Sequence, residues 1–399
     1  MSHSAEVFRA FLKLGVTSFG GPVAHLGYFR EELVAKRKWV SEQQYSELVA
    51  ICQFLPGPAS SQVGFALGLI RGGYLGALAA WTAFTLPSAI LLVLFAIGAV
   101  TLDGAIGAGV ISGLTAVAVA VVAHAVWGMA RTLTPDLRRI GIAIVAALLA
   151  LLLPGAIGQV AAIGVGILAG VAWCRRVDQP EATPLQIGVS RRAGVVALTF
   201  WMLLLVLLPI AAATTRSPGV SLIDAFYRSG ALVFGGGHVV LPLLAAEPAI
   251  ANAVTPEQIL AGYGAAQAVP GPLFTFASFL GFEMGVGGSA PLTALIALIA
   301  IFLPGMLLLL AVLPFWSQVR GKPVMRAAIA GANAAVVGIL AAALWNPVVT
   351  SGITSPATLV IAGVGLVLLF AARFPAWAVV LTGVVAGALS GATGFGLFW

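Results

Sequence analysis

The sequence predicts an all-α protein that crosses a membrane many times. The chain has 399 residues, of which 60% are hydrophobic and only 8% are charged, whereas an ordinary soluble domain carries roughly 25% charged residues. So few charges cannot solvate the surface of a folded chain of this length, which excludes a soluble globular protein. The 48 glycines and 22 prolines are dispersed along the chain, as expected for close helix packing and helix breaks in lipid.

Nine apolar windows are continuous and long enough to predict membrane-spanning helices. They lie at residues 73–101, 105–130, 138–153, 155–173, 194–213, 288–315, 326–345, 357–372 and 376–396. Four further apolar stretches, at 5–37, 41–70, 222–250 and 255–284, are interrupted by the clusters FGGP, LPGP, FGGG and VPGP. Each half of such a stretch has only ~10 to 16 residues, which is short for a crossing and favours a re-entrant helical hairpin.

The four clusters indicate an internal duplication. Residues 8–21 align with 223–236 at an offset of 215, with six identities in fourteen positions, and QFLPGP at 53–58 aligns with QAVPGP at 267–272. A Leu-Pro pair at 86–87 recurs at 303–304 in the same order. We therefore predict two six-segment membrane repeats, 1–175 and 214–399. The region 176–213 supplies a polar linker and one connecting span.

The connecting span makes the number of segments odd, which turns the second repeat upside down and predicts an inverted-repeat transporter. If the four broken stretches are hairpins that return to one side, 18 of the 20 Lys and Arg residues lie on the side of the N-terminus. If all thirteen segments cross, only 14 do. Because cytoplasmic loops hold the excess of positive charge, the hairpin arrangement fits better. Both arrangements place the N-terminus in the cytoplasm and the C-terminus outside.

The breaks are the predicted binding site, because a helix that starts within the membrane points free N–H groups and its positive dipole end into the protein, where an anion can bind. Purely structural hinges are the alternative. The candidates in the first repeat are Gly20, Gly21, Pro22, His25, Pro56, Gly57, Pro58, Ser60, Ser61 and Gln62. Those in the second are Gly235, Gly236, Gly237, His238, Pro270, Gly271, Pro272 and Thr275.

Lys13 and Arg228 occupy matching positions in two hairpin arms. A cation there is costly unless it is paired or functional, so attraction of a divalent anion is one interpretation, and snorkelling to the interface is the other. The sequence contains no zinc spacing, P-loop, Rossmann glycine motif or serine elbow, and we expect neither enzymatic activity nor a cofactor. Cys52 and Cys174 lie too far apart in the sequence to indicate a disulfide framework or a thiolate metal site.

The run FLKLGVTSFGGPVAHLGYFREELVAKRKWVSEQQYSELVAICQFLPGPASSQVGFALG, together with GGYLGALAAWTAFTLPS, resembles the N-terminal signature of the chromate ion transporter family. FGGGHVVLPLL and QAVPGP resemble its C-terminal signature, so the resemblance covers both repeats and implies a long, two-repeat member. It adds Gln53 and Gln267 to the motif residues above. The second-repeat loop at 249–258 departs from the pattern because it has no counterpart of Trp39.

The resemblance implies a carrier in the bacterial inner membrane that exports chromate and confers resistance to it. With the helix breaks, it predicts a secondary transporter that holds the oxyanion near the membrane midplane at opposed half-helix N-termini. A carrier of sulfate or another tetrahedral oxyanion is the alternative, and an anion channel is a second one. The expected partners are the substrate and the lipid bilayer. We expect no nucleic acid, and a homo-oligomer stays open.

Overall fold

A computed structural model of the chain is all-helical, which confirms the predicted fold class, an all-α polytopic membrane protein. It describes residues 3–100, 104–153, 155–174, 188–234, 237–316, 318 and 322–393, and no β-strand occurs among them. The two central residues of the third break, Gly235 and Gly236, lie outside the described residues, as does most of the linker.

Within the described residues, the first half of the chain contains seven α-helices. They are α1 (His3–Thr17), α2 (Gly21–Phe29), α3 (Glu42–Phe54), α4 (Ala59–Val100), α5 (Gly104–Leu133), α6 (Leu137–Leu152) and α7 (Gly155–Trp173). A wider helical turn, Arg30–Lys36, continues α2. Gly72 and Gly73 have non-helical backbone angles and divide α4 into two helices, which matches the predicted boundary between a hairpin arm and the following span.

The connecting span is α8 (Arg191–Thr215), and the second half repeats the pattern with some interruptions. Its helices are α9 (Pro218–Leu232), α10 (Val240–Ala245), α11 (Pro248–Ala251), α12 (Pro256–Ala268), α13 (Phe276–Met284), α14 (Ala290–Val312), α15 (Pro323–Ala343), α16 (Pro356–Phe370) and α17 (Ala376–Thr393). After α15 comes a wider turn, Leu344–Val349, which the non-helical backbone of Asn346 interrupts, and then a short helix, Thr350–Gly352.

Among the residues that the structure describes, six helical stretches are long and apolar enough to cross a membrane, whereas the predicted spans at 138–153, 155–173 and 357–372 form shorter apolar stretches in α6, α7 and α16. The six are Ala59–Ala99, Gly104–Leu133, Arg191–Thr215, Ala290–Phe315, Pro323–Gly352 and Ala376–Thr393. Only 6% of the most apolar window of the connecting helix is buried, because α8 contacts chiefly α9 and α14. The connecting span therefore lies at the periphery, with most of its apolar surface available to lipid.

Three residues show that both hairpins of the first repeat return to the end at which they start. Trp39, between the hairpins, donates its indole N–H to Glu6 near the start of α1 (3.1 Å). Arg71, at the end of the second hairpin, also binds Glu6 (2.8 Å) and lies over the Trp39 ring. In the second half, Gln258 at the start of α12 binds Glu283 near the end of α13 (3.0 Å). Entry and return on one face of the membrane stays a prediction.

The two halves of the chain pack into each other through glycine-rich contacts. Gly113 of α5 lies against the backbone of Gly383 in α17, and Gly331 of α15 lies against Gly166 of α7. Such close backbone approach is typical of helices that associate in lipid, because small residues allow extensive van der Waals contact. Helices α5 and α15 are largely buried, and α5 also packs against α12.

Candidate functional site

Four helix breaks meet at the interface between the two halves of the chain. The backbone N–H of Gly57, in the second break of the first half, donates to the carbonyl of Val233, which precedes the first break of the second half (2.7 Å). The corresponding Gly271 N–H donates to the carbonyl of Ser18 (2.9 Å). In both cases the second break of one half is therefore hydrogen-bonded to the first break of the other half.

Glycine is required at both Pro-Gly-Pro positions. Gly57 and Gly271 have φ angles of +121° and +102°, which side-chain-bearing residues rarely adopt. A Cβ at Gly57 would lie 3.1 Å from the Cα of Gly305, and one at Gly271 would lie 2.8 Å from the Ser88 hydroxyl. Gly305 and Ser88 each follow the repeated Leu-Pro pair. The residue after each pair therefore packs against the Pro-Gly-Pro break of the opposite half.

The first break, between α1 and α2, leaves Ser18 and Phe19 outside either helix. Gly20 and Gly21 have φ angles of +99° and +78°, and Pro22 lies in the first turn of α2, a position where its missing N–H costs nothing. His25, one turn further on, is buried. Its Nδ1 shares a hydrogen bond with the Ser60 hydroxyl (3.3 Å), and its ring packs edge-on against Phe84.

The second break ends where α4 begins at Ala59. The backbone N–H groups of Ala59, Ser60 and Ser61 in its first turn have no intrahelical acceptor, as at every helix start, whereas that of Gln62 donates to the Pro58 carbonyl (2.9 Å). Ser60, Ser61 and Gln62 are all buried in this turn. The Gln62 side-chain amide donates to the carbonyls of Pro56 (3.1 Å) and Gly305 (2.9 Å), which fastens the break to α14. Pro56 and Pro58 flank Gly57, whereas Gln53 is exposed in the last turn of α3.

The second half places its candidate residues differently. Gly237 begins a short turn and packs near Leu273 and Pro22, so the first breaks of the two halves approach each other. His238 Nδ1 shares hydrogen bonds with the Tyr263 hydroxyl (2.8 Å) and with the Gln267 amide (3.3 Å). After Pro270 and Pro272 come a single 3₁₀ turn and then α13, and the Thr275 hydroxyl donates to the Pro272 carbonyl (2.7 Å).

The matching cations Lys13 and Arg228 are both paired with carboxylates. Lys13 binds Glu32 at 2.9 Å, and Arg228 binds Glu247. Each acid lies 19 residues after its cation, so the same ion pair joins the two arms of the first hairpin in each half. The Lys13 side chain is 59% exposed, whereas that of Arg228 is 24% exposed and also contacts Asp224.

Several buried hydroxyl groups near the breaks have no hydrogen-bond partner within the described residues. They belong to Ser18, Ser61 and Thr85. Ser61 and Thr85 are adjacent in sequence to Ser60 and Phe84, the two residues that contact His25. An unpartnered buried hydroxyl is costly unless water or a ligand satisfies it. These groups are therefore donors that an oxyanion can use, whereas the described residues offer no cluster of His, Cys, Asp or Glu for a metal ion.

Three kinds of contact at the site were not predicted, although the sequence contains a signal for one of them. Glu32 and Glu247 were identifiable, because they recur at the same offset as Lys13 and Arg228. Ser88 and Gly305 follow the Leu-Pro pairs. These pairs identify matching positions in the two repeats but do not indicate which residue each position contacts. The acceptors at Ser18 and Val233 are backbone carbonyls, and no residue pattern identifies those.

The fold and the breaks define a polytopic membrane protein built from two like halves. The model of the chromate transporter family matches the chain twice, over residues 5–172 and 220–388. The chain belongs to this family.

Named relatives cover most of the chain. It is 28% identical to the chromate transport protein of Pseudomonas aeruginosa, over 84% of this chain and 79% of that protein. It is 29% identical to a probable chromate transport protein of Synechococcus elongatus, over 85% and 83% of the two chains. A chromate transport protein of Cupriavidus metallidurans is 25% identical, over 85% and 81%. The family and these relatives are described as transporters rather than enzymes, and no solved structure matches.

Proposed function

We propose that this protein is a secondary transporter that exports chromate across the bacterial inner membrane. Family membership over both halves supports chromate as the substrate. The meeting of the four breaks, through the Gly57–Val233 and Gly271–Ser18 hydrogen bonds, is the observation that carries the mechanism. In inverted-repeat carriers, broken helices at the repeat interface bind the substrate.

The oxyanion is held by neutral donors in this proposal. Because the N–H groups of Gly57 and Gly271 already donate to carbonyls, the donors that remain are the N–H groups of residues 59–61 at the start of α4 and the hydroxyls of Ser18, Ser61 and Thr85. The N-terminus of α4 adds its positive dipole end. A tetrahedral dianion accepts several hydrogen bonds at once, and burial strengthens each of them.

Lys13 and Arg228 have an indirect role in this arrangement. Each cation is paired with an acid of its own hairpin: Lys13 shares Glu32 with Arg37, and Arg228 contacts both Glu247 and Asp224. Much of the charge of each cation is therefore balanced within its own hairpin. We assign the two ion pairs to the alignment of the hairpin arms, which in turn determines where the breaks meet. Inner-membrane location and a cytoplasmic N-terminus belong to the same proposal and follow from the distribution of basic residues.

Uptake of radiolabelled chromate into everted membrane vesicles tests the proposal, because inward movement there corresponds to export. We expect uptake that saturates and exceeds uptake by vesicles without the protein, with sulfate and molybdate as weaker competitors. Stronger binding of sulfate than of chromate would identify a sulfate carrier. Vesicles preloaded with unlabelled chromate should show accelerated exchange. Flux without exchange or saturation would indicate an anion channel instead.

A further inference from the structure

A cavity of about 250 Å³ separates α3 from the start of α15. Arg139 at the start of α6 and Arg326 in the first turn of α15 line it, together with Asn333. Gln53, which also lines the cavity, lies two residues before the Leu55-Pro56-Gly57-Pro58 break. The cavity therefore extends from the starts of α6 and α15, which carry the two arginines, to the edge of the candidate site.

The lining is suited to a small anion. Its charged residues are the two arginines, and Asn333, Gln53 and Thr132 add neutral polar groups. Arg139 is paired with Asp136 at 2.9 Å, so its charge is partly balanced. The carboxylate of Glu47 accepts a hydrogen bond from the indole of Trp316, a lining residue, but is not itself part of the lining. Like-charged arginines at a low-dielectric cleft raise the local concentration of anions.

The corresponding place in the other half of the chain is closed. Gly264, the counterpart of Ala50 at the offset of 214, lies on α5 so closely that a Cβ there would be 2.9 Å from the Leu114 carbonyl. Ala50 is exposed at the cavity, whereas Gly264 is buried. Gln53 is likewise exposed, whereas Gln267 is bonded to His238. Equivalent helices are thus separated on one side and in contact on the other.

We propose that this cavity is the cytoplasmic entry route for a divalent oxyanion, and that the structure is the cytoplasm-open conformation of an alternating-access cycle. The proposal rests on the proposed transport function. The opposite conformation exchanges the two contacts: α3 closes on α15, and α12 separates from α5. Arg326 and Arg139 attract the anion to the mouth of the cavity, and Gln53 lies where the route meets the break.

Paired cysteine positions test the asymmetry. Residues 113–127 align with 331–345 at an offset of 218, with six identities in fifteen positions, so Thr115 is the counterpart of Asn333. In a protein without Cys52 and Cys174, Asn333→Cys in everted vesicles should react with a membrane-impermeant thiol reagent roughly tenfold faster than Thr115→Cys in intact cells, because burial protects a thiol. Equal reactivity of the two positions would overturn the proposal.

A bulky residue at Gly264 should reverse the preference. The leucine side chain in Gly264→Leu does not fit against the Leu114 carbonyl, so it should hold α12 away from α5. This separation should expose Thr115→Cys to reagent from the outside and slow the labelling of Asn333→Cys. If the leucine variant does not accumulate, Gly264→Ala applies the same test more mildly. Unchanged labelling of both positions in an abundant variant would contradict the alternating-access assignment.

The kinetics of chromate transport test the anion route separately. Arg326→Gln should raise the apparent KM for chromate roughly five- to tenfold with little change in kcat, because the arginine concentrates the anion at the mouth. The matched control is Arg138→Gln, since Arg138 bonds the Trp173 carbonyl and does not line the cavity. An unchanged KM in Arg326→Gln would refute the route. Labelling does not depend on the substrate, so absence of chromate uptake with the predicted labelling would refute the transport proposal alone.

Discussion

Gly57 donates its backbone N–H to the carbonyl of Val233 across 2.7 Å, and this bond joins a break in the first half of the chain to a break in the second. The Gly271–Ser18 bond repeats it with the two halves exchanged. Each hairpin tip is therefore stabilised by the opposite half. A movement of one half relative to the other must change both bonds or carry the tips along with it.

Gly57→Ala tests whether the break must keep its geometry. The methyl group would meet Gly305 and the Gln62 amide, and a residue other than glycine at this φ costs about 1–3 kcal/mol of stability. We expect reduced abundance in the membrane, or reduced chromate affinity in the protein that does fold. Thermal unfolding and chromate binding to the purified variant measure the two effects separately.

The outcome distinguishes a hinge from a binding site. Lower stability with unchanged affinity would mean that the break acts as a hinge and that the anion is held elsewhere. Gly73→Ala is a useful control, because Gly73 also has a positive φ, +64°, but a Cβ there meets no atom within 4 Å. It should share the backbone strain without the steric contact at the candidate site.

The two repeated ion pairs should differ in their effect on stability. Lys13 is largely exposed, so Lys13→Gln should cost less than ~1 kcal/mol. Arg228→Gln leaves Glu247 buried without its partner, and breaking a buried pair costs about 3–5 kcal/mol. Unfolding of the purified variants by denaturant measures both.

Exchanging the charges provides the control for the more exposed pair. Lys13→Glu combined with Glu32→Lys should restore part of the stability that Glu32→Lys alone removes, because the pair is re-formed in the opposite sense while Arg37, which also binds Glu32 (3.0 Å), meets a like charge. Normal stability in Lys13→Gln and Arg228→Gln, accompanied by strongly reduced chromate affinity, would contradict the structural role and return both cations to the anion site.

The sequence was sufficient to predict where most of the helices and the described breaks lie, because apolar length and Gly-Pro clusters are local signals. The division of α4 at Gly72 and Gly73 matches the predicted end of a hairpin at residue 70. The partners across the interface could not be predicted in the same way. The Gly57–Val233 bond depends on which hairpins face each other, and its acceptor is a backbone group that any residue supplies.

The asymmetry between the two halves also could not be predicted from the sequence. The repeats predict equivalent positions for Ala50 and Gly264, yet one is exposed and the other is buried. A sequence encodes all the conformations of a transport cycle, whereas a structure shows one of them. Equal motifs in two repeats are therefore compatible with unequal environments in any single state.

Ser61→Ala tests the neutral donors directly. The Ser61 hydroxyl is buried without a partner, so its removal should lower chromate affinity by ~1–2 kcal/mol if it donates to the oxyanion. Stability should not fall, because no protein hydrogen bond is lost. Isothermal titration of the purified variant measures the affinity.

Ser278→Ala is the matched control for that substitution. Ser278 is equally buried, but its hydroxyl already donates to the Thr275 carbonyl at 2.7 Å. Its removal should leave affinity unchanged and slightly reduce stability. Equal loss of affinity in the two variants would indicate a general disturbance of the hairpins rather than a contact with the anion.

The last prediction concerns the side of the membrane on which each hairpin loop lies. In a protein without Cys52 and Cys174, Lys38→Cys should be unreactive toward an impermeant thiol reagent in intact cells and reactive in everted vesicles. Ala251→Cys, in the corresponding loop of the second half, should show the reverse; both positions are exposed. The basic loop holds Lys36, Arg37 and Lys38, and moving it outside would oppose the charge bias that orients membrane proteins. Labelling of Lys38→Cys in intact cells would mean that the first hairpin crosses the membrane. The contacts of Glu6 with Trp39 and Arg71, which hold the loop beside the N-terminus, argue against that outcome.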